Sequence, residues 1–267
     1  MGTETLTYTE EIKEAAALVL SSNYLVALTG AGVSVESGIA PFRGPGGLWT
    51  KYGEPPMNGY RRFLADPKGY WEERLGPRKR RRLGVPIDEA DPNPGHFALA
   101  EMERMGLLRV LITQNVDNLH FVAGNRNVIE IHGNSYKLRC VDCGSRFDRN
   151  GFDLSELPPI CPNCTGVVKG DTVMFGEPIP SDVLSKCKEE ASQSDCMLVV
   201  GTSAIVHPAA SLPIMVKRSG GVLIEVNPRR SELSDICDVC IRAPSGEALP
   251  AFVLELARAR NVKDINL

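Results

Sequence analysis

Apolar positions recur along this chain in two rhythms. From Ile12 the spacing is helical, through Ala15, Ala16, Val19 and Leu20 to Ser21-Ser22, and Thr7 with Glu10 makes a capping box ahead of it. An amphipathic helix is expected to open the chain. The rhythm then changes to short apolar runs at residues 24–28, 110–112, 128–131, 197–200, 222–226 and, less clearly, 239–241. A strand covered on both faces needs apolar residues on both, so runs of this kind predict buried parallel strands. Helical spacing returns at about residues 96–105, 183–190, 208–217 and 248–259. This alternation predicts an α/β fold, a doubly wound Rossmann-like parallel sheet.

Two stretches break the pattern. Residues 41–91 are rich in Gly, Pro and Arg with weak periodicity, and residues 139–170 hold paired cysteines and several prolines. They read as insertions that together build a smaller domain. The expected division is 1–41, 84–138 and 171–267 for the Rossmann-like domain, and 42–83 with 139–170 for a small helical and metal-binding domain.

At 267 residues and 43% hydrophobic content the chain can bury a substantial core. Its net charge of −3 predicts neither a nucleic-acid binder nor a membrane-surface protein. No apolar run reaches the roughly 18–20 residues that span a bilayer, and the polar, acidic start does not resemble a signal peptide. The expected location is cytoplasmic or nuclear. Leu6 stands where a myristoylation motif wants Ser or Thr, so the Met1-Gly2 opening is not expected to be a myristoylation site. The run Arg78-Lys79-Arg80-Arg81-Arg82 is the one strong charge cluster. It reads as a solvated loop, with weak contact to nucleic acid or an acidic protein as the alternative.

Eight cysteines without an export signal favour metal ligation over disulfides, because cytosolic thiols are kept reduced. Cys140-x2-Cys143 and Cys161-x2-Cys164 have the two-knuckle spacing of a tetrahedral zinc site. Four thiolates leave no open coordination position, so this zinc is expected to be structural. The pair Cys237-x2-Cys240 has no partner pair nearby and reads as core, as do Cys187 and Cys196.

Gly30-Ala31-Gly32-Val33-Ser34 follows the first apolar run directly. Such a turn, leading into a helix, suits a dinucleotide pyrophosphate. Val35 replaces the third glycine of the usual fingerprint, and no acidic residue closes a second strand about 20 residues on. An ordinary dehydrogenase is therefore disfavoured. Residues 113–120 (Thr-Gln-Asn-Val-Asp-Asn-Leu-His) and Glu130-Ile131-His132-Gly133 each close an apolar run. Ligands bind at that edge of an open α/β sheet, so Asn115, Asp117 and His132 are candidates to converge there, with His132 suited to act as a general base. His96 and His120 read as ordinary core or surface histidines.

In this order the motifs closely resemble the sirtuin family of NAD-dependent protein lysine deacylases, of the prokaryotic type, over about residues 24–247. The matching segments are Gly30 to Ser34, Ser37-Gly38-Ile39, Phe42-Arg43, Thr113 to Asp117, His132-Gly133, both cysteine pairs, Val173-Met174-Phe175-Gly176-Glu177, Gly201-Thr202-Ser203 and Val226-Asn227. The resemblance implies NAD bound among Gly30, Ala31, Gly32, Ser34, Phe42, Arg43, Gln114, Asn115, Asp117, Gly201, Thr202, Ser203, Asn227 and Ser245. It makes His132 the catalytic base, with Asn115 and Asp117 beside it at the nicotinamide. Val173, Phe175, Gly176 and Glu177 would meet the acylated peptide.

In the implied reaction the acyl-lysine carbonyl oxygen attacks the nicotinamide ribose, and the products are free lysine, nicotinamide and O-acyl-ADP-ribose. Acetyl is the expected acyl group. Members that remove succinyl or malonyl carry a Tyr and an Arg where Arg74 and Pro77 stand here, although nearby bases such as Arg78 leave acidic or longer chains open. Gly38-Ile39-Ala40-Pro41 also departs from the Gly-Ile-Pro of many members. ADP-ribosyl transfer or NAD hydrolysis on the same scaffold is the alternative activity, and a DNA-docking module with an inert core is a third.

Overall fold

The computed structural model describes residues 9–76 and 84–265, with side chains to 261. Thr7 of the capping box, Pro77 and the basic run 78–82 lie outside the described residues. Helix α1 spans Thr9–Ser21 and leads into β1 (Leu25–Thr29). The excursion that follows holds α2 (Leu48–Tyr52), α3 (Gly59–Ala65) and α4 (Pro67–Leu75). Then come α5 (Pro94–Arg104), β2 (Leu108–Thr113), α6 (Leu119–Ala123) and β3 (Val128–Glu130). The second excursion contributes β4 (Lys137–Cys140), β5 (Arg146–Asp148) and β6 (Val168–Gly170). The chain closes with α7 (Ser181–Gln193), β7 (Cys196–Val200), α8 (Ser211–Arg218), β8 (Val222–Val226), β9 (Val239–Ile241) and α9 (Ser245–Ile265).

Six strands form one parallel sheet in the order β3-β2-β1-β7-β8-β9. Counting only these strands, the order is that of a doubly wound dinucleotide fold, with the switch point between β1 and β7. The expected apolar runs lie in these strands, and their burial explains them. Leu25 and Ala27 face a core shared with α1, α5 and α9, while Val26 and Leu28 face one shared with α7 and α8. Side chains alternate between the faces of a strand, so covering both faces makes Leu25 to Leu28 continuously apolar, and the one polar residue of β1, Thr29, stands at its C-terminal end.

The smaller lobe is an antiparallel sheet of order β5-β4-β6 against which α4 packs. Trp71 is fully buried and donates its indole N–H to Val168 O at 2.8 Å. Each excursion is pinned at its neck. Ile39 bridges Gly84 antiparallel and Val85 N–H donates to Gly38 O at 2.7 Å. Asp171 N–H donates to Lys137 O at 2.9 Å. Among the described residues, no helix is long and apolar enough to cross a membrane.

Candidate active site

The glycine turn after β1 meets the turn after β7. Gly30 N–H donates to Val200 O at 3.0 Å and Gly32 N–H to Gly201 O at 2.7 Å. A Cβ on Gly32 would lie 2.6 Å from the Gly201 Cα, and Gly201 itself has φ +59°. Backbone against backbone at this distance leaves room for no side chain, and both turns open at the switch point where a pyrophosphate would rest. The helix expected after this turn is a 3-10 helix, Ala31–Ser37. Its Glu36 accepts from Gly246 N–H at 2.6 Å and from the Ser245 hydroxyl at 3.3 Å, locking it to the start of α9.

Gln114, Thr202 and Asn227 join the strand ends laterally. Gln114 Nε2 donates to Thr202 Oγ1 at 3.0 Å, and Asn227 Nδ2 to Thr202 O at 2.9 Å. Ser34, Asn115 and Asp117 form a buried polar wall behind the glycines. Ser34 Oγ donates to Asp117 Oδ2 at 2.7 Å, and Asn115 Nδ2 donates to Ser34 Oγ and Gly30 O, both at 3.1 Å.

Two histidines read from sequence as ordinary core or surface residues extend this wall. His96 Nδ1 accepts from Asn93 N–H at 3.3 Å and its Nε2 lies 3.5 Å from Ser34 Oγ. Thr29 Oγ1 donates to Thr113 Oγ1, so His120 Nε2, 3.0 Å from Thr29 Oγ1, carries the proton and donates. That leaves His120 Nδ1 buried without a hydrogen-bond partner. Burial pushes the His96 pKa down to about 4, opposed by the Asp117 charge, and pushes His120 well down, helped by His96. Both are neutral, and their rings stand 4.9 Å apart.

His132 follows β3. Its Nδ1 is 3.1 Å from Gln114 O, and a carbonyl only accepts, so Nδ1 carries the hydrogen and Nε2 keeps its lone pair. Burial lowers its pKa, with the Gln114 carbonyl acting the other way. The same residue's carbonyl accepts from Val173 N–H at 2.9 Å. Gly133, at φ +77°, lies so close to Asp171 that a Cβ would meet its carbonyl at 2.2 Å. Base and segment 173–177 are thus one packed unit.

Phe42 is exposed, with its ring 4.9 Å from Trp49, whose ring lies 5.5 Å from Phe175. Arg43 stacks over Trp49 at 4.3 Å and pairs with Glu54 at 2.8 Å. Phe175 O accepts from Tyr60 N–H, and Glu177 accepts from Met174 N–H at 2.8 Å. Beside them a hollow of about 480 Å³ is lined by Pro56, Met57, Asn58, Arg61 and Gly176. Arg74 sits apart, over the Tyr70 ring.

The four cysteines of the smaller lobe converge. Cys140 and Cys164 Sγ are 3.4 Å apart and Cys143 and Cys161 Sγ 3.7 Å, with all four inside 4.8 Å. Tetrahedral zinc with Zn–S near 2.3 Å sets thiolates about 3.8 Å apart, so the set fits zinc. Buried ion pairs tie this lobe to the segment beside the base. Glu177 pairs with Arg139 at 2.6 Å and with Lys169 at 3.1 Å, and Lys169 is 1% exposed.

Comparison with known proteins decides the family. The Sir2 family model matches residues 30–208. The chain belongs to the Sir2 family. A relative from Pyrococcus furiosus named NAD-dependent protein deacylase is 43% identical over 250 residues, covering 92% of this chain and 98% of the relative. One from Sulfurisphaera tokodaii named NAD-dependent protein deacetylase is 45% identical, covering 88% and 92%. The solved structure of a Sir2 homologue with NAD superposes with a TM-score of 0.77 at 40% identity, covering 92% and 94%. Among the residues expected from the resemblance, the structure brings Gly30, Gly32, Ser34, Gln114, Asn115, Asp117, Gly201, Thr202 and Asn227 to one sheet edge, with His132 bound to Gln114. Sequence reasoning missed Glu36, Trp49, His96 and His120 as parts of this site. His96 had a local signal, since it caps α5 together with Asn93.

Proposed function

We propose that this Sir2-family chain is an NAD-dependent protein lysine deacylase acting on acetyl-lysine, located in the cytoplasm. One observation carries the reading: the carbonyl of His132 holds Val173, while its imidazole, fixed by Gln114, offers a neutral Nε2. A backbone hydrogen bond across the neck of the second excursion then joins the base to the peptide-binding segment. When bound, NAD supplies the electrophilic ribose carbon that takes the acyl oxygen as nicotinamide departs.

This chain's residues do the rest. The glycines 30, 32 and 201 admit the pyrophosphate, with Ala31 and Ser203 on the same turns, and Asn227 and Ser245 border the far ribose. Ser34, Asn115 and Asp117 present a fixed hydrogen-bonding wall to the nicotinamide side, and Phe42 with Arg43 covers it. His132 Nε2 takes a proton from a ribose hydroxyl. Val173, Phe175, Gly176 and Glu177 frame the peptide, and Asn58 Oδ1, buried at the hollow without a partner, is an acceptor for a backbone N–H.

Cys140, Cys143, Cys161 and Cys164 hold a structural zinc in the lobe formed by residues 42–83 and 139–170, while residues 1–41, 84–138 and 171–267 hold NAD. A solved Sir2 complex with deacetylated p53 peptide and 3'-O-acetyl-ADP-ribose, 34% identical with a TM-score of 0.75, supports a peptide substrate.

The test is His132→Ala with an acetyl-lysine peptide and NAD, read by mass spectrometry of peptide and nucleotide. Turnover should fall by about 10²–10⁴-fold with NAD affinity retained. Unchanged deacylation removes His132 from the role, and ADP-ribose without deacylated peptide from the unaltered enzyme favours hydrolysis.

A further inference from the structure

A second cluster of metal-binding donors lies outside the four-thiol site. In the register of β8 with β9, Glu225 stands beside Cys240, so carboxylate and thiol occupy one face of the sheet. Cys237, three residues earlier, joins them, and the three donor atoms lie within 4.8 Å of one another. Cys240 Sγ is 3.7 Å from Glu225 Oε2, the same separation as Cys143 and Cys161 in the four-thiol cluster. Ligands at about 2.0 Å (oxygen) and 2.3 Å (sulfur) from tetrahedral zinc stand about 3.5–3.8 Å apart, so Glu225 and Cys240 already sit at coordination spacing, with Cys237 within 4.8 Å of both.

Glu225 is fully buried, an expensive place for a carboxylate, and Ser231 and Ser234 donate their hydroxyls to it. Its counter-charge is Arg242, 2.5 Å away. That guanidinium is about one-third exposed, and both cysteines are half-buried, so the cation can swing to solvent and an ion can enter.

We propose that Glu225, Cys237 and Cys240 form a second site for a zinc-class divalent cation, which takes the place of the Arg242 guanidinium. On binding, the two thiols release two protons to solvent, and two thiolates with one carboxylate ligate the ion. Three protein ligands leave one position to water. Arg242 also donates to Asn227 O at 3.4 Å and Arg229 O at 3.1 Å, so its release loosens the turn after β8 that carries Asn227.

The test is metal stoichiometry on the whole chain, stripped of metal, reduced with a phosphine and dialysed against zinc. About two zinc ions per chain are expected, falling to about one in the Cys237→Ser/Cys240→Ser double variant. Glu225→Gln should weaken the second site at least ~10-fold without touching the first. Retention of one tightly held zinc in each variant shows that the four-thiol lobe is folded. Cobalt titration of the unaltered protein gives an independent reading. The second equivalent should add thiolate-to-cobalt absorbance at about half the intensity of the first, two thiolates against four. Saturation at one zinc, or a second equivalent with no thiolate band, overturns the proposal.

Discussion

The large sheet and the four-thiol lobe are held together by different means. The sheet buries apolar side chains on both faces, Leu25, Leu198 and Ile224 on one and Leu28, Val199 and Leu223 on the other, and three helices cover one side while two cover the other. The lobe's buried apolar cluster is Trp71, Leu138, Val168 and two of the cysteines. So small a core cannot carry three short strands, and the lobe adds a four-thiol tetrad and linked buried ion pairs, whereas the sheet relies on apolar burial and confines its Glu225–Arg242 pair to the β8–β9 edge. The sheet's stability is spread over many contacts. The lobe's is concentrated in a few polar ones, and those same pairs reach Glu177 beside the base.

Zinc removal should break the comparison most severely. Structural zinc contributes on the order of 10 kcal/mol to small domains, so chelation or Cys161→Ser should unfold the lobe and abolish peptide turnover while the sheet persists. Both tryptophans, Trp49 and Trp71, lie in the excursions. Tryptophan emission should therefore red-shift while far-ultraviolet dichroism keeps most of its helical signal. Loss of both together would show that the sheet depends on the lobe.

Lys169→Met tests the ionic link. It leaves Glu177 with Arg139 alone and should cost about 3–5 kcal/mol in chemical denaturation. The KM for peptide should rise more than the KM for NAD, and Lys169→Arg should restore part of it. Leu198→Ala in the sheet core should cost about 2–5 kcal/mol with little change in the ratio of the two KM values.

The smallest effect is in pH. His96, at about 4 in the fold against 6.5 free, binds its proton more readily in the unfolded chain. Its contribution is complete above pH 6.5 and is lost as pH falls towards 4, at no more than about 1.4 kcal/mol per pH unit. His96→Gln should flatten that part of the stability profile. An unchanged slope would assign acid sensitivity to other groups.

The same contrast explains what was legible in the sequence. β1, β7 and β8 could be read because burial on both faces writes itself as a run dominated by apolar residues. The zinc tetrad could be read because two ligands of each pair lie within three residues. Glu36, Trp49 and Glu225 carried no such mark. Glu36 meets Ser245 from 209 residues away in sequence, and a lone Glu in an apolar run resembles an error until Ser234 and Arg242 are placed around it. His120, read as an ordinary core or surface histidine, is buried, and its place beside the polar wall was not legible because its partner Thr29 lies 91 residues away. The 3-10 geometry of Ala31–Ser37 depends on contacts with α9 that no local pattern encodes.

The closed necks of the two excursions have an evolutionary consequence. Ile39 bridges Gly84, and Asp171 bonds to Lys137, so each detour leaves and rejoins the sheet edge at nearly one point. Lengthening such a detour adds loop-closure entropy only logarithmically and displaces no strand. Loops between Gly38 and Val85 can therefore change length by insertion or deletion while the large sheet stays put. Within this architecture, new substrate preferences can arise at the detours without renegotiating the fold.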